Sequence, residues 1–136
     1  VAVIATAGNP DCHVILRGGR QPNYDAATID DTAARMAKAG LEPAIIVDLS
    51  HGNSSKQHAK QLDVGADIAA RVAAGDTRLT GVMIESFIEA GRQDAKPGQP
   101  LTYGQSITDA CLGWRETTEL LQQLAAGARK RIRKGD

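Results

Sequence analysis

Three short apolar runs, Cys12 to Leu16, Ala44 to Leu49 and Leu79 to Ile84, stand out along the chain. Each is rich in Val, Ile and Leu and gives way to a small or polar loop, RGGRQPN, SHGNSSK and ESFIEAGRQ in turn. Continuous rather than alternating apolar character predicts strands buried on both faces, as in a parallel sheet. The stretches between them have helical spacing. Ala26 to Ala39 sets Ile29, Ala33, Met36 and Ala37 on one face and stops at Gly40. Lys56 to Ala74 follows a candidate N-cap at Ser54 or Ser55 and groups Leu62, Ala66, Ala69 and Val72. Thr117 to Arg133 carries Leu120, Leu121, Leu124 and Ala128 and ends in a basic cluster of Arg129, Lys130, Arg131, Arg133 and Lys134. That cluster is expected to complement the helix dipole and stay solvated. The order β-α-β-α-β-long loop-α defines an α/β chain. Three βα units of equal length fit an open doubly wound sheet or a slice of a (β/α)8 barrel, and are too few to close a barrel.

The polar residues that close the three strands are Arg17, His51 and Glu85, and they recur at equal intervals. In parallel α/β folds the loops at the carboxyl ends of strands collect the chemistry, so all three are predicted on one edge. The long loop from Ser86 to Thr108 ends in SITDAC and returns Asp109 to that edge. One His with two carboxylates suits divalent Mn, Fe, Co or Zn. Each residue also has a plain structural reading: His51 as a hydrogen-bonded core residue, Glu85 paired with an Arg or Lys, Asp109 as a helix N-cap. Arg17, followed by Gly18 and Gly19, is the leading anion site, because a guanidinium grips phosphate bidentately and glycines admit backbone N–H groups. The loop Ser50 to Lys56 is expected to open a helix, where a second anion could rest. Cys12 and His13 fall at the opposite edge and are expected to pack.

Composition narrows the field. Lys+Arg and Asp+Glu balance at 16 each, so no polyanion-binding surface is indicated and nucleic acid is not an expected partner. No apolar run approaches the roughly 20 residues that span a bilayer. The first residues, VAVIATAGNP, lack a basic n-region and a cleavage pattern, so a signal peptide is not expected. Cys12 and Cys111 are read as reduced thiols of a cytoplasmic protein. The sequence holds neither a GxxxxGK nor a GxGxxG pattern, which removes the main support for nucleotide binding, and no GxSxG elbow for a serine hydrolase.

The stretches GNPDCHVILRGGRQPNY, DLSHGNSSKQ, GVMIESF and YGQSITDACLGW together resemble the type I 3-deoxy-D-arabino-heptulosonate 7-phosphate (DAHP) synthases over nearly the whole chain. The resemblance implies a TIM (β/α)8 barrel, of which this chain would hold the last three βα units as a C-terminal segment, preceded by a short extended stretch, Val1 to Ala7. It implies the first step of the shikimate route to aromatic amino acids. There phosphoenolpyruvate condenses with erythrose 4-phosphate and water. It further implies that His51, Glu85 and Asp109 bind a divalent metal. Arg17, His51 and Asp109 would contact substrate, with Arg17 and His51 taking part in catalysis. The family's fourth ligand, a cysteine, has no counterpart at Cys12 or Cys111, and the basic residues of its earlier strands are likewise missing. Arg115 stands where an acidic residue is usual, a difference expected to touch only the surface. A homo-oligomer and an aromatic amino acid inhibitor are implied in the same way.

Two other readings compete. One is a catalytically silent segment or binding module of such an enzyme, because three strands leave two open parallel edges. The other is a metal-dependent hydrolase or lyase on a different α/β scaffold, which would not require erythrose 4-phosphate.

Overall fold

The computed structural model describes residues 1–9 and 11–135; the side chains of 133–135 lie outside it, and with them the Arg133 and Lys134 part of the expected basic cluster. Three strands, β1 (Val14–Leu16), β2 (Ile45–Asp48) and β3 (Leu79–Met83), pair in parallel in the order β1-β2-β3. The register sets Leu16 beside Val47 and Val47 beside Val82. Each strand is shorter than its apolar run; at β1, Cys12 and His13 precede the first pairing and are exposed. The packing role expected for those two residues is therefore not observed.

Helices α1 (Ala26–Lys38), α2 (Gln61–Ala74) and α3 (Trp114–Gly135) bury their apolar residues against Leu16, Ile45, Val47 and Leu79. Alternate strand positions are less covered: Ile15 is 52% exposed and its neighbour Ile46 half-buried. The expectation of burial on both faces thus holds for one face of β1 only. The sheet does not close into a barrel.

Asp25 starts α1 by accepting the Thr28 N–H at 3.0 Å and the Thr28 hydroxyl at 2.7 Å. Ile29, Ala33 and Met36 face the core as expected, whereas Ala37 is exposed. On α2 the buried face is Val64, Gly65, Ile68, Ala69 and Val72, with Leu62 and Ala66 at its margins. On α3, Leu120 is buried and Leu124 and Ala128 are half-buried, but Leu121 lies off the stripe and is 50% exposed. The helices α2 and α3 approach closely where Gly127 faces α2: a Cβ there would lie 2.7 Å from the Ala69 carbonyl oxygen.

Two boundaries differ from expectation. Helix α3 begins at Trp114 rather than Thr117, with Glu116 reaching back to the Gly113 N–H at 2.7 Å. Helix α2 begins at Gln61, preceded by a 3-10 turn at His58–Lys60, and Ser54 and Ser55 do not cap it. The segment before it winds through turns instead, with Lys56 N–H donating to the His51 carbonyl at 2.9 Å and Gln57 N–H to that of Ser54 at 3.0 Å. The long loop is also not structureless. It contains β4 (Glu89–Arg92) and β5 (Gln105–Ser106), a second, two-stranded parallel sheet. Among the described residues, no helix is long and apolar enough to cross a membrane.

Candidate metal and anion site

At the carboxyl edge of the sheet, the loops after β1 and β2 touch backbone to backbone. A Cβ on Gly18 would lie 2.6 Å from the Asn53 nitrogen and the Gly52 carbonyl carbon, and Gly18 has a left-handed φ of +73°. Both conditions select glycine. Asn53, almost wholly buried, stitches the loops together: its amide donates to the Leu16 carbonyl at 3.0 Å and the Asp48 carbonyl at 2.8 Å. Its oxygen accepts the Asn23 N–H at 2.8 Å, and Asn23 in turn accepts the Gly18 N–H at 2.7 Å. The chain thereby fixes where Arg17 and His51 emerge.

His51 has φ 47°, the left-handed region that a non-glycine residue enters at a cost of roughly 1–2 kcal/mol. Such strain persists only where the surroundings over-determine it. Here they do. The imidazole Nδ1 meets the Asp48 carboxylate at 2.7 Å, and Nε2 lies 3.3 Å from Glu85 Oε1. Glu85 is held in turn by the Ser50 hydroxyl, which donates to Oε2 at 2.7 Å. The Gln61 side chain clasps the Glu85 backbone, accepting its N–H at 2.8 Å and donating to its carbonyl at 3.1 Å. Among the described residues, no buried side-chain nitrogen or oxygen lacks a hydrogen-bond partner.

Asp109 completes the cluster. One donor atom each from His51, Glu85 and Asp109 lie within 4.8 Å of one another. Two donors about 2.1 Å from one ion at a tetrahedral angle would be about 3.4 Å apart, close to the His51–Glu85 separation. With Nδ1–H committed to Asp48, Nε2 presents a lone pair toward a carboxylate oxygen. A cation between the two would satisfy both. The nitrogen-and-oxygen donor set, the spacing and the outer carboxylate all fit a divalent metal.

These residues line a cleft of about 480 Å³ together with Arg17, Gly18, Arg20, Ser55 and Lys56. Arg17 is largely exposed, and its Nε lies 3.7 Å from Asp48. The plain readings of the three residues can now be weighed. Asp109 does not cap α3, which starts five residues later, and Glu85 faces His51 rather than an Arg or Lys among the described residues. His51 lines the cleft and is not a core residue. The second anion site expected at a helix N-terminus after Ser50–Lys56 is not formed, because α2 begins beyond it; Ser55 and Lys56 reach the cleft from the turns. Sequence reasoning missed Asp48, Ser50, Asn53 and Gln61. Asp48 had a signal, a lone carboxylate inside the apolar run IIVDL.

The fold is an open parallel α/β sheet whose carboxyl-edge cleft gathers His51, Glu85 and Asp109 beside Arg17. Residues 1–123 match the family model described as the DAHP synthetase I family, so the chain belongs to that family, whose enzymes are transferases. It is 48% identical over 130 residues to the Phe-sensitive phospho-2-dehydro-3-deoxyheptonate aldolase of Escherichia coli (strain K12), covering 96% of this chain and 37% of that protein. Identity to the Trp-sensitive aldolase of Enterobacter agglomerans is 46% over 132 residues, covering 97% of this chain and 38% of that one. The structure of the aldolase from Francisella tularensis SCHU S4 superposes with a TM-score of 0.88 at 45% identity, over 96% of this chain and 38% of the other. The chain thus spans little more than a third of the length of the relatives it matches.

Proposed function

We propose that residues 1–136 form the C-terminal βα units of a DAHP synthase barrel. The reaction is the condensation of phosphoenolpyruvate with erythrose 4-phosphate and water, giving DAHP and phosphate at the start of aromatic amino acid synthesis. The observation that carries this reading is the convergence of His51, Glu85 and Asp109 beside Arg17 in one cleft. The half-exposed strand face at Ile15 supports a barrel interior that further strands would fill.

In this reading His51, Glu85 and Asp109 hold a divalent Mn, Fe, Co or Zn ion, which when bound polarises the aldehyde oxygen of the acceptor. Arg17 grips the phosphate of phosphoenolpyruvate through its guanidinium, and Gly18 and Gly19 let backbone amides come close. Carbon 3 of phosphoenolpyruvate bonds the aldehyde carbon, water adds at carbon 2, and phosphate departs as the adduct collapses to the ketone. His51 would also lie beside phosphoenolpyruvate, and Asp109 would contact substrate. The enzyme is expected to be a cytoplasmic homo-oligomer, with an aromatic amino acid as inhibitor.

A second reading, a segment that is inactive by itself, is favoured by the chain's share of its relatives' length. One experiment separates the two. Phosphate release is assayed with both substrates and Mn2+, once with this chain alone and once with it grafted over the matching stretch of the E. coli Phe-sensitive aldolase. Activity in the graft that His51→Ala abolishes supports the site. Activity of the chain alone ends the second reading, and a graft indifferent to His51→Ala ends the first.

A further inference from the structure

Asp48 lies outside the proposed ligand set, yet its carboxylate is 1% exposed and both of its oxygens are engaged. Oδ1 accepts the Ser50 N–H at 2.8 Å, and Oδ2 faces His51 Nδ1 at 2.7 Å. The Ser50 contact fixes which oxygen is left for the imidazole, because a backbone N–H can only donate. A carboxylate can only accept, so Nδ1 must carry the proton in this pair. In the neutral ring the lone pair is then confined to Nε2, the nitrogen beside Glu85. Arg17 also lies near Oδ2, but at 3.7 Å and with a side chain that is 61% exposed. Such a contact is weak and screened, so it does not compete with the imidazole for this oxygen.

From this geometry we infer that Asp48 is a positioning residue: it sets the tautomer and ring orientation of His51 so that Nε2 is the ligating atom. The left-handed backbone at His51 makes the arrangement reachable, turning the chain back so that side chains three residues apart can meet. Asp48 is not among the residues that line the cleft and reaches it through His51. The inference rests on the metal reading for its consequence, though not for the tautomer itself.

The decisive variant is Asp48→Asn, which keeps the size of the side chain. With its oxygen toward the Ser50 N–H, the amide NH2 faces His51 Nδ1 and donates to it, which forces the proton onto Nε2. Two measurements on the full chain read this out. In the metal-free chain, 15N–1H correlation spectra of the imidazole are expected to show the Nδ1–H form in the wild type and the Nε2–H form in Asp48→Asn. Titration with Mn2+ is expected to show a loss of about 10–100-fold in affinity. Asp48→Glu, which restores an accepting carboxylate, is expected to return the Nδ1–H form, and it serves as the test variant if Asp48→Asn does not fold. An unchanged tautomer in Asp48→Asn would overturn the inference, as would a wild-type ring already in the Nε2–H form. A chain that shows the tautomer switch but binds no Mn2+ would refute the metal reading and leave the positioning role standing.

Discussion

At the amino end of β3, carboxylates meet arginines in matched sets, whereas at the carboxyl end three carboxylates crowd around one imidazole. Arg78, just before β3, bonds Asp76 through two nitrogens at 2.8 and 2.9 Å and reaches Asp30 of α1 at 2.7 Å. Arg131 of α3, expected to stay solvated, instead donates to the Asp76 and Leu79 carbonyls at 2.9 Å. Hydrogen bonds from Arg78 hold the Asp76 carboxyl below its usual range, and those to Asp76 and Asp30 push the Arg78 guanidinium higher still. At the other end Asp48, Glu85 and Asp109 gather around His51, and among the described residues the one arginine or lysine within ion-pair distance of them is the exposed Arg17, 3.7 Å from Asp48. One end is neutralised internally and ties helices to the sheet. The other accumulates donor atoms that a bound cation would satisfy, so charge matching separates scaffold from site more sharply than burial does.

Gly18→Ala should breach the carboxyl end most severely. Its Cβ would strike the Gly52–Asn53 backbone and force an alanine into a left-handed conformation, a loss of about 2–4 kcal/mol. Urea unfolding and Mn2+ titration should both show the damage, because the same contact sets the His51 loop. A variant with wild-type stability would mean the two loops can part without consequence. Arg78→Met should separate the two ends. Stability is expected to fall by about 1–2 kcal/mol, discounted for a guanidinium one-third exposed, while Mn2+ affinity stays the same. A parallel loss of metal affinity would show that the ends are coupled and the contrast is wrong.

Asp76→Asn should have the smallest effect and a specific pH dependence. A carboxyl whose folded pKa is depressed stabilises the fold above its unfolded value and loses that contribution as pH falls through the folded value. The wild type should therefore exceed the variant by up to about 1 kcal/mol at pH 7. The gap should close as pH drops below about 3.9. Asp25, also held low by Thr28, is common to both proteins and cancels. Urea melts between pH 7 and 3 would show a pH-independent gap if Arg78 did not engage the charged form of Asp76.

What the sequence made legible follows from which forces leave a periodic trace. Strand positions were visible because Val14–Leu16, Ile45–Val47 and Leu79–Met83 are apolar in runs, and the edge residues Arg17, His51 and Glu85 followed from where those runs stop. The start of α2 was obscured because Ser54 and Ser55 look like caps, while turns with left-handed residues at His51, Ser55 and Lys56 consume the intervening chain. Strands β4 and β5 left no apolar signature. They are held by backbone pairing and by amides such as Gln93, which bonds the backbone of Thr102 and the Gln105 carbonyl. The fold of the long loop is thus written in hydrogen bonds that no hydrophobic pattern reports. The supporting residues Asn53 and Gln61 were hidden for a similar reason, since each is a polar side chain buried by its partners.

Gln61 bears on how portable the site is. An amide both gives and receives, so this one side chain can satisfy the Glu85 N–H and carbonyl together, which neither a carboxylate nor an ammonium could do. The orientation of Glu85 is therefore inherited from the first turn of α2. A designer who transplanted only the histidine and the two acids would carry over the letters of the site without its grammar. The smallest unit worth moving to another scaffold runs from Asp48 through Gln61, together with the end of β3 as far as Glu85 and the segment that carries Asp109.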